Sequence, residues 1–238
     1  MRTKIFKNKE SLNADFTEWM KKRLSEKETI TLSLSGGSTP KSLFTYWAEH
    51  HKTDIEWNRI KFFWGDERCV SPTDEQSNYR MTKEHLFNVI SVPEKNIFRI
   101  HGENAPEAEA KRYARVLQNE LDFSPSGVPS FDILMLGMGD DGHTASIFPH
   151  EIALWNSHEI CVVGTHPESG QKRVSLSGKT INAAERVAFL VTGSGKAEKV
   201  KEIMEEREKL ATEYPAALVH PESGNLTWFL DEQAAQYL

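Results

Sequence analysis

An imidazole set among glycines and carboxylates is the most chemically pointed feature of the chain: Gly137, Gly139 and Gly142 are interleaved with Asp140 and Asp141, and His143 follows directly. A histidine side chain can take a proton from water and return it later, which is what hydrolysis of an ester or a lactone requires. Asp140 and Asp141 are both near enough in sequence to fix the tautomer of His143 and stabilise its imidazolium, and the residues alone leave the choice open. Glycines this dense imply an unusual backbone path, which places His143 in a cleft at the expected opening of a helical turn. No second histidine stands at helical ligand spacing from His143, and Cys69 and Cys161 show no ligand pattern, so no metal is expected.

Two other segments offer groups for an anion. Ser35 to Pro40 reads Ser-Gly-Gly-Ser-Thr-Pro. Gly36 and Gly37 let the backbone approach a ligand, Thr39 is the expected N-cap, and Pro40 suits a first helical turn. Free N–H groups at Gly36, Gly37 and Ser38, backed by the positive end of a helix, suit a phosphate. The spacing matches neither the nucleotide P-loop nor the dinucleotide fingerprint, so no nucleotide cofactor is expected. The second segment, Gly65 to Val70, delivers Asp66, Glu67 and Arg68 together. The planar fork of Arg68 can clamp a phosphate, and Asp66 can orient a histidine or hold a sugar hydroxyl.

Elements that would position these loops are legible on either side of them. Apolar, β-branched or aromatic runs at 29–34, 60–64, 131–136 and 187–191 read as buried strands, each followed by a glycine-bearing segment. Helical spacing of Leu12, Phe16, Trp19, Met20 and Leu24, of Leu43, Phe44 and Trp47 in a helix from Lys41 to His50, and of Tyr113, Val116, Leu117 and Leu121 supplies the covering layer. The alternation predicts an α/β fold, one Rossmann-like domain over residues 1–238 with a mostly parallel sheet flanked by helices. Ligands of such sheets collect at the carboxyl ends of strands, where all three loops lie. Ser124 to Ser130 reads as a connection between elements. The formal net charge of -6 denies the chain the broad positive field that nucleic acid or an anionic membrane requires, so an anionic ligand has to be gripped locally. With no apolar run of signal or membrane-spanning length and two isolated thiols, the expected compartment is the cytoplasm.

Several motifs in one order carry a resemblance over almost the whole chain. Leu34 to Pro40, Trp64 to Arg68 with Ser77-Asn78-Tyr79, Leu136 to Pro149, and Gly224 to Asp231 resemble the 6-phosphogluconolactonases. The resemblance implies a Rossmann-like fold similar to that of glucosamine-6-phosphate deaminases and ribose-5-phosphate isomerases. It also implies hydrolysis of 6-phospho-D-glucono-1,5-lactone in the oxidative pentose phosphate pathway, by water attack assisted at His143. Lys172 to Ala184 matches a family stretch in which an arginine leads a strand, which adds Arg173 to Gly36, Gly37, Ser38 and Arg68 as a substrate-binding candidate. Catalytic candidates are His143, Asp141 and Asp66. The implied partner is a phosphorylated sugar lactone, bound by a monomer or small homo-oligomer without a cofactor. Lys196, in a further glycine segment after a strand, is another cation that could meet phosphate.

Three competing readings fit the residues less well. Ser38 and Ser146 lack the Gly-x-Ser-x-Gly elbow of a serine hydrolase. An amino-sugar-phosphate deaminase would use the same cleft, but deaminases carry Asn-Glu-Pro soon after the histidine, where this chain has Ser146-Ile147-Phe148-Pro149, and they lack the Trp228 to Asp231 ending. A sugar-phosphate sensor would need a DNA-reading domain, for which the segment before Gly36 is too short.

Overall fold

The computed structural model describes all residues, Met1–Leu238. In chain order the first half comprises β1 (Arg2–Phe6), α1 (Lys9–Glu26), β2 (Ile30–Leu34), α2 (Ser38–His50), β3 (Ile60–Trp64), β4 (Asp66–Arg68), α3 (Asn78–Thr82) and α4 (Pro106–Glu120). There follow β5 (Asp122–Phe123), β6 (Pro129–Ser130), β7 (Ile133–Leu136), β8 (Cys161–Thr165), β9 (Lys172–Leu176), α5 (Gly178–Asn182), β10 (Val187–Val191), α6 (Ala197–Leu210) and β11 (Leu226–Asp231). Six strands form one sheet in the order β1-β11-β10-β7-β2-β3, and every neighbouring pair is parallel.

A parallel sheet covered on both faces needs strands that are apolar throughout, which is why β7 and β10 are buried at every residue. Aromatic rings fill the space between layers: Phe189 stacks on Trp228 with centroids 3.9 Å apart, and Phe16 of α1 meets Phe229 edge-on at 5.4 Å. No helix is long and apolar enough to cross a membrane.

The strands read at 60–64 and 187–191 have those bounds, whereas the other two start later than expected, at Ile30 and Ile133. Polar side chains replace the ladder ahead of Ile133. The Asp132 carboxylate accepts the Thr31 N–H at 2.9 Å and pairs with Arg23 at 2.7 Å and Lys27 at 2.8 Å. Burial opposes the charge of Asp132, but Lys27 and the Thr31 N–H outweigh it and lower its pKa. The connection at 124–130 holds the turn of a short hairpin, 124–128, and its second strand β6, with Asp122 opposite Ser130.

Two local expectations need correction. Helix α2 begins at Ser38, not Lys41, and its N-cap is Gly37. Thr39 is therefore inside the helix, and its hydroxyl spends its bond on Thr192 Oγ1 at 2.7 Å, tying the glycine loop to the loop after β10. No helix opens at His143. Instead Thr144 bridges Ile147 and Ala145 takes φ 48°, a left-handed conformation that costs a side-chain-bearing residue energy.

A second, three-stranded antiparallel sheet, β4-β9-β8, adds to the parallel sheet that the sequence predicts. It joins the main sheet where β3 ends: the Gly65 N–H donates to the Leu34 carbonyl and the Gly65 carbonyl accepts from the Leu176 N–H, both at 2.9 Å. That junction hangs β4 and β9 over the carboxyl ends of the parallel strands.

Candidate active site

A cleft of about 190 Å³ opens where the loops after β2, β3, β7 and β10 meet the second sheet. Gly36, Gly37, Asp66, Arg68, His143 and Arg173 all line it. Ser38 lines the adjoining hollow of about 140 Å³, which shares Gly36, Gly37 and Lys196 with the cleft. Asp141 stands behind His143. Hollows of about 290 and 320 Å³ elsewhere on the surface contain no histidine.

The histidine loop is closed on itself. The Gly139 N–H donates to the His143 carbonyl at 2.9 Å, and the Thr144 hydroxyl donates to the Gly137 carbonyl at 2.8 Å. Gly139 is obligatory for this path, because a Cβ there would lie 2.1 Å from His143 Nδ1. Asp141 Oδ1 accepts the His143 backbone N–H at 3.0 Å and sits 2.6 Å from Nδ1 of its ring. Burial alone would raise the Asp141 pKa, yet the bonds from the His143 ring and backbone overcome it and hold the carboxyl at about 2. The carboxylate thus fixes the proton on Nδ1 and leaves Nε2 as the basic nitrogen. Asp140 is engaged elsewhere, in an ion pair with Lys196. The ring of Phe148 lies beneath His143, with centroids 4.7 Å apart.

Arg68 and Arg173 face each other across the β4–β9 ladder. Like charges in that position repel, and neither guanidinium has a carboxylate partner in an ion pair. Arg68 donates Nη1 to the Gln76 carbonyl at 2.6 Å, while the buried Nε of both arginines meets no acceptor. Burial and then the charge of Arg68 pull the Arg173 pKa down from its ordinary value. Two cations held together without an anion between them make a site for one. Opposite them the N–H groups of Gly36 and Gly37 donate to no protein acceptor, and Ser38 begins α2, where the helix dipole adds positive potential.

Asp66 does not reach the His143 ring. Its Oδ2 accepts the buried Ser146 hydroxyl at 2.6 Å, and the residue is 5% exposed in the cleft wall. That placement removes one of its two expected roles and keeps the other, holding a sugar hydroxyl. Lys179 lies outside the cleft, with its ammonium on the His158 carbonyl. Sequence reasoning gave no role to Asn78, which also lines the cleft. The signal was there in Ser77-Asn78-Tyr79, but a polar triplet after a turn carries no chemistry until its partners are known.

Comparison with known proteins agrees with this architecture. The profile of the glucosamine-6-phosphate isomerases/6-phosphogluconolactonase family matches residues 7–228. The chain is 46% identical over 196 residues to a 6-phosphogluconolactonase of Treponema pallidum, covering 82% of this chain and 81% of that one. The crystal structure of a 6-phosphogluconolactonase from Thermotoga maritima superposes with a TM-score of 0.84 at 28% identity, covering 97% of this chain and 99% of that one. A monomeric glucosamine-6-phosphate deaminase superposes with a TM-score of 0.85 over the full length of both chains, but at 22% identity it speaks for the fold alone.

Proposed function

This chain belongs to the glucosamine-6-phosphate isomerase/6-phosphogluconolactonase family, and from that premise we propose that it hydrolyses 6-phospho-D-glucono-1,5-lactone to 6-phospho-D-gluconate with His143 as general base. The reaction belongs to the oxidative pentose phosphate pathway. The observation that carries the catalytic assignment is a carboxylate-bound imidazole sharing one small cleft with two arginines that have no counter-ion.

In the proposed mechanism the phosphate sits on Arg68 and Arg173 and on the N–H groups of Gly36, Gly37 and Ser38. Binding at that end holds the lactone carbonyl beside Nε2 of His143, so that water, base and carbonyl meet without further loss of entropy. Nε2 takes a proton from water, the hydroxide adds to the carbonyl carbon, and cleft donors stabilise the oxyanion. The tetrahedral intermediate then expels the ring oxygen, which takes its proton back from the imidazolium. Asp141 stabilises that imidazolium, and Asp66 holds a sugar hydroxyl. Water is the only co-reactant, so the reaction needs no cofactor. The enzyme works in the cytoplasm as a monomer or small homo-oligomer and binds neither nucleic acid nor membrane.

The test is acid release from freshly generated 6-phosphogluconolactone, measured against spontaneous hydrolysis for the wild type and for His143→Ala. The wild type should accelerate the reaction and the variant should lose nearly all of that acceleration. Equal rates for the two proteins would remove His143 from the mechanism, and ammonia release from glucosamine 6-phosphate would move the assignment to a deaminase.

A further inference from the structure

Asn78 is only 2% exposed, yet it forms part of the cleft wall. Three of its four polar groups are engaged within the protein. Its N–H donates to Glu67 Oε1 at 2.8 Å, its carbonyl accepts the Thr82 hydroxyl at 2.9 Å, and its side-chain Nδ2 donates to the Asp66 carbonyl at 3.0 Å. The last bond fixes the side-chain amide, because a half-turn would set oxygen against oxygen. Oδ1 is thereby aimed over the glycine loop, where a Cβ on Gly36 would lie 2.0 Å from it. It accepts no hydrogen bond from the protein.

Glu67 holds this arrangement. Its carboxylate is 2% exposed and has no cationic partner; it accepts the N–H groups of Arg68, Asn78 and Tyr79, each at 2.8 Å, and the Ser77 hydroxyl at 3.1 Å. One buried acid thus sets the relative position of the arginine strand and the asparagine. Oδ1 is open to the cleft, so a ligand that covers it without donating a hydrogen strands the acceptor at a desolvation cost, whereas a ligand that donates one does not. A phosphate oxygen would be repelled there, whereas a sugar hydroxyl donates.

We propose that Asn78 is a specificity-determining residue whose Oδ1 accepts the hydrogen of one ring hydroxyl of the lactone, with Glu67 as the positioning residue that keeps it aimed. This rests on the lactone reading of the same cleft and adds the orientation of the ring: hydroxyl edge on Asn78, phosphate on the arginines.

The test compares kcat/KM for 6-phosphogluconolactone and its 2-, 3- and 4-deoxy analogues in the wild type, Asn78→Ala and Asn78→Ser. The serine variant covers the case in which alanine fails to fold. The wild type should disfavour one deoxy analogue by about tenfold to a hundredfold, the range for an unpaired buried acceptor. The Asn78 variants should lose that factor on the other three lactones and nothing on that analogue. Glu67→Gln, which sets an NH₂ against a cluster of donors, should narrow the same selectivity ratio. An equal loss on all four lactones overturns the proposal and leaves Asn78 a packing residue. A wild type no faster than spontaneous hydrolysis overturns the lactone reading and this proposal with it.

Discussion

Replacing Asp141 by asparagine isolates the contribution of charge to the base. Asp141 Oδ1 serves both the His143 backbone N–H at 3.0 Å and the ring at 2.6 Å. In Asp141→Asn the backbone N–H still demands an acceptor, so the amide oxygen should stay in place and the tautomer should survive. What disappears is the attraction between carboxylate and imidazolium in the step that forms the ion. Unit charges about 2.6 Å apart interact by roughly 6 kcal/mol at an effective dielectric of about 20 and by roughly 1.6 kcal/mol in water. The side chains are 27% and 41% exposed, so solvent screening places the loss between these limits, at about 2–4 kcal/mol. That is a fall in kcat of about 30- to 1,000-fold. KM should change little, because the neutral imidazole of the ground state owes the carboxylate much less. The assay is acid release from fresh lactone with the spontaneous rate subtracted, and thermal melting checks the fold. A variant within threefold of wild type, or a loss carried by KM with kcat intact, would refute the assignment of Asp141 as the charge behind His143.

Removing one guanidinium should affect the phosphate end selectively. In Arg173→Met, kcat/KM for the phosphorylated lactone should fall by about 1.5–3 kcal/mol, the worth of hydrogen bonds to a charged group, or roughly 10- to 150-fold. The unphosphorylated lactone should be hydrolysed no worse than by the wild type, and an equal loss on both substrates would remove Arg173 from the phosphate site. Acid should unfold the protein in part through two carboxylates. Glu103, held down by hydrogen bonds from Arg99, and Asp141, held down against burial by His143, both have pKa values of about 2. Folded values below the unfolded ones, about 4.3 for Glu and 3.9 for Asp, mean that the stabilisation is complete above those values and is lost as pH falls toward 2. Urea midpoints should therefore drop across that window, and Glu103→Gln should show a smaller drop than the wild type.

The parts of the site legible in the sequence are those where local chemistry and fold coincide. Val187 to Val191 is apolar throughout because both sheet faces are covered, Ile60 to Trp64 breaks that pattern only at Lys61, whose ammonium pairs with Glu120 at 2.9 Å, and each run ends where its strand ends. Glycine loops after such strands announce a cleft, and His143, Gly36, Gly37 and Arg68 lie in it. Asp132 looks like part of a strand, because a single carboxylate in an apolar run gives no sign that it is held by Arg23 and Lys27, more than a hundred residues earlier. Thr39 suits an N-cap by its type, and nothing local reveals a hydroxyl partner at Thr192.

The second sheet explains why the anion site was the hardest part to read. A strand that lines a cleft has no apolar face to alternate with its polar one, so β4, with sequence Asp66-Glu67-Arg68, looks like a solvated loop. Arg68 and Arg173 are 105 positions apart, and only the antiparallel register of β4 and β9 makes them neighbours. Their juxtaposition is unfavourable in the protein by itself, and no local rule predicts it. The same holds for Glu67, a buried acid satisfied almost entirely by backbone N–H groups. Such features weaken the fold unless a ligand recovers the cost. The two arginines, Asn78 Oδ1 and the free N–H groups of the glycine loop therefore define the ligand by what they lack: an anion at one end and a hydroxyl-bearing ring beside it.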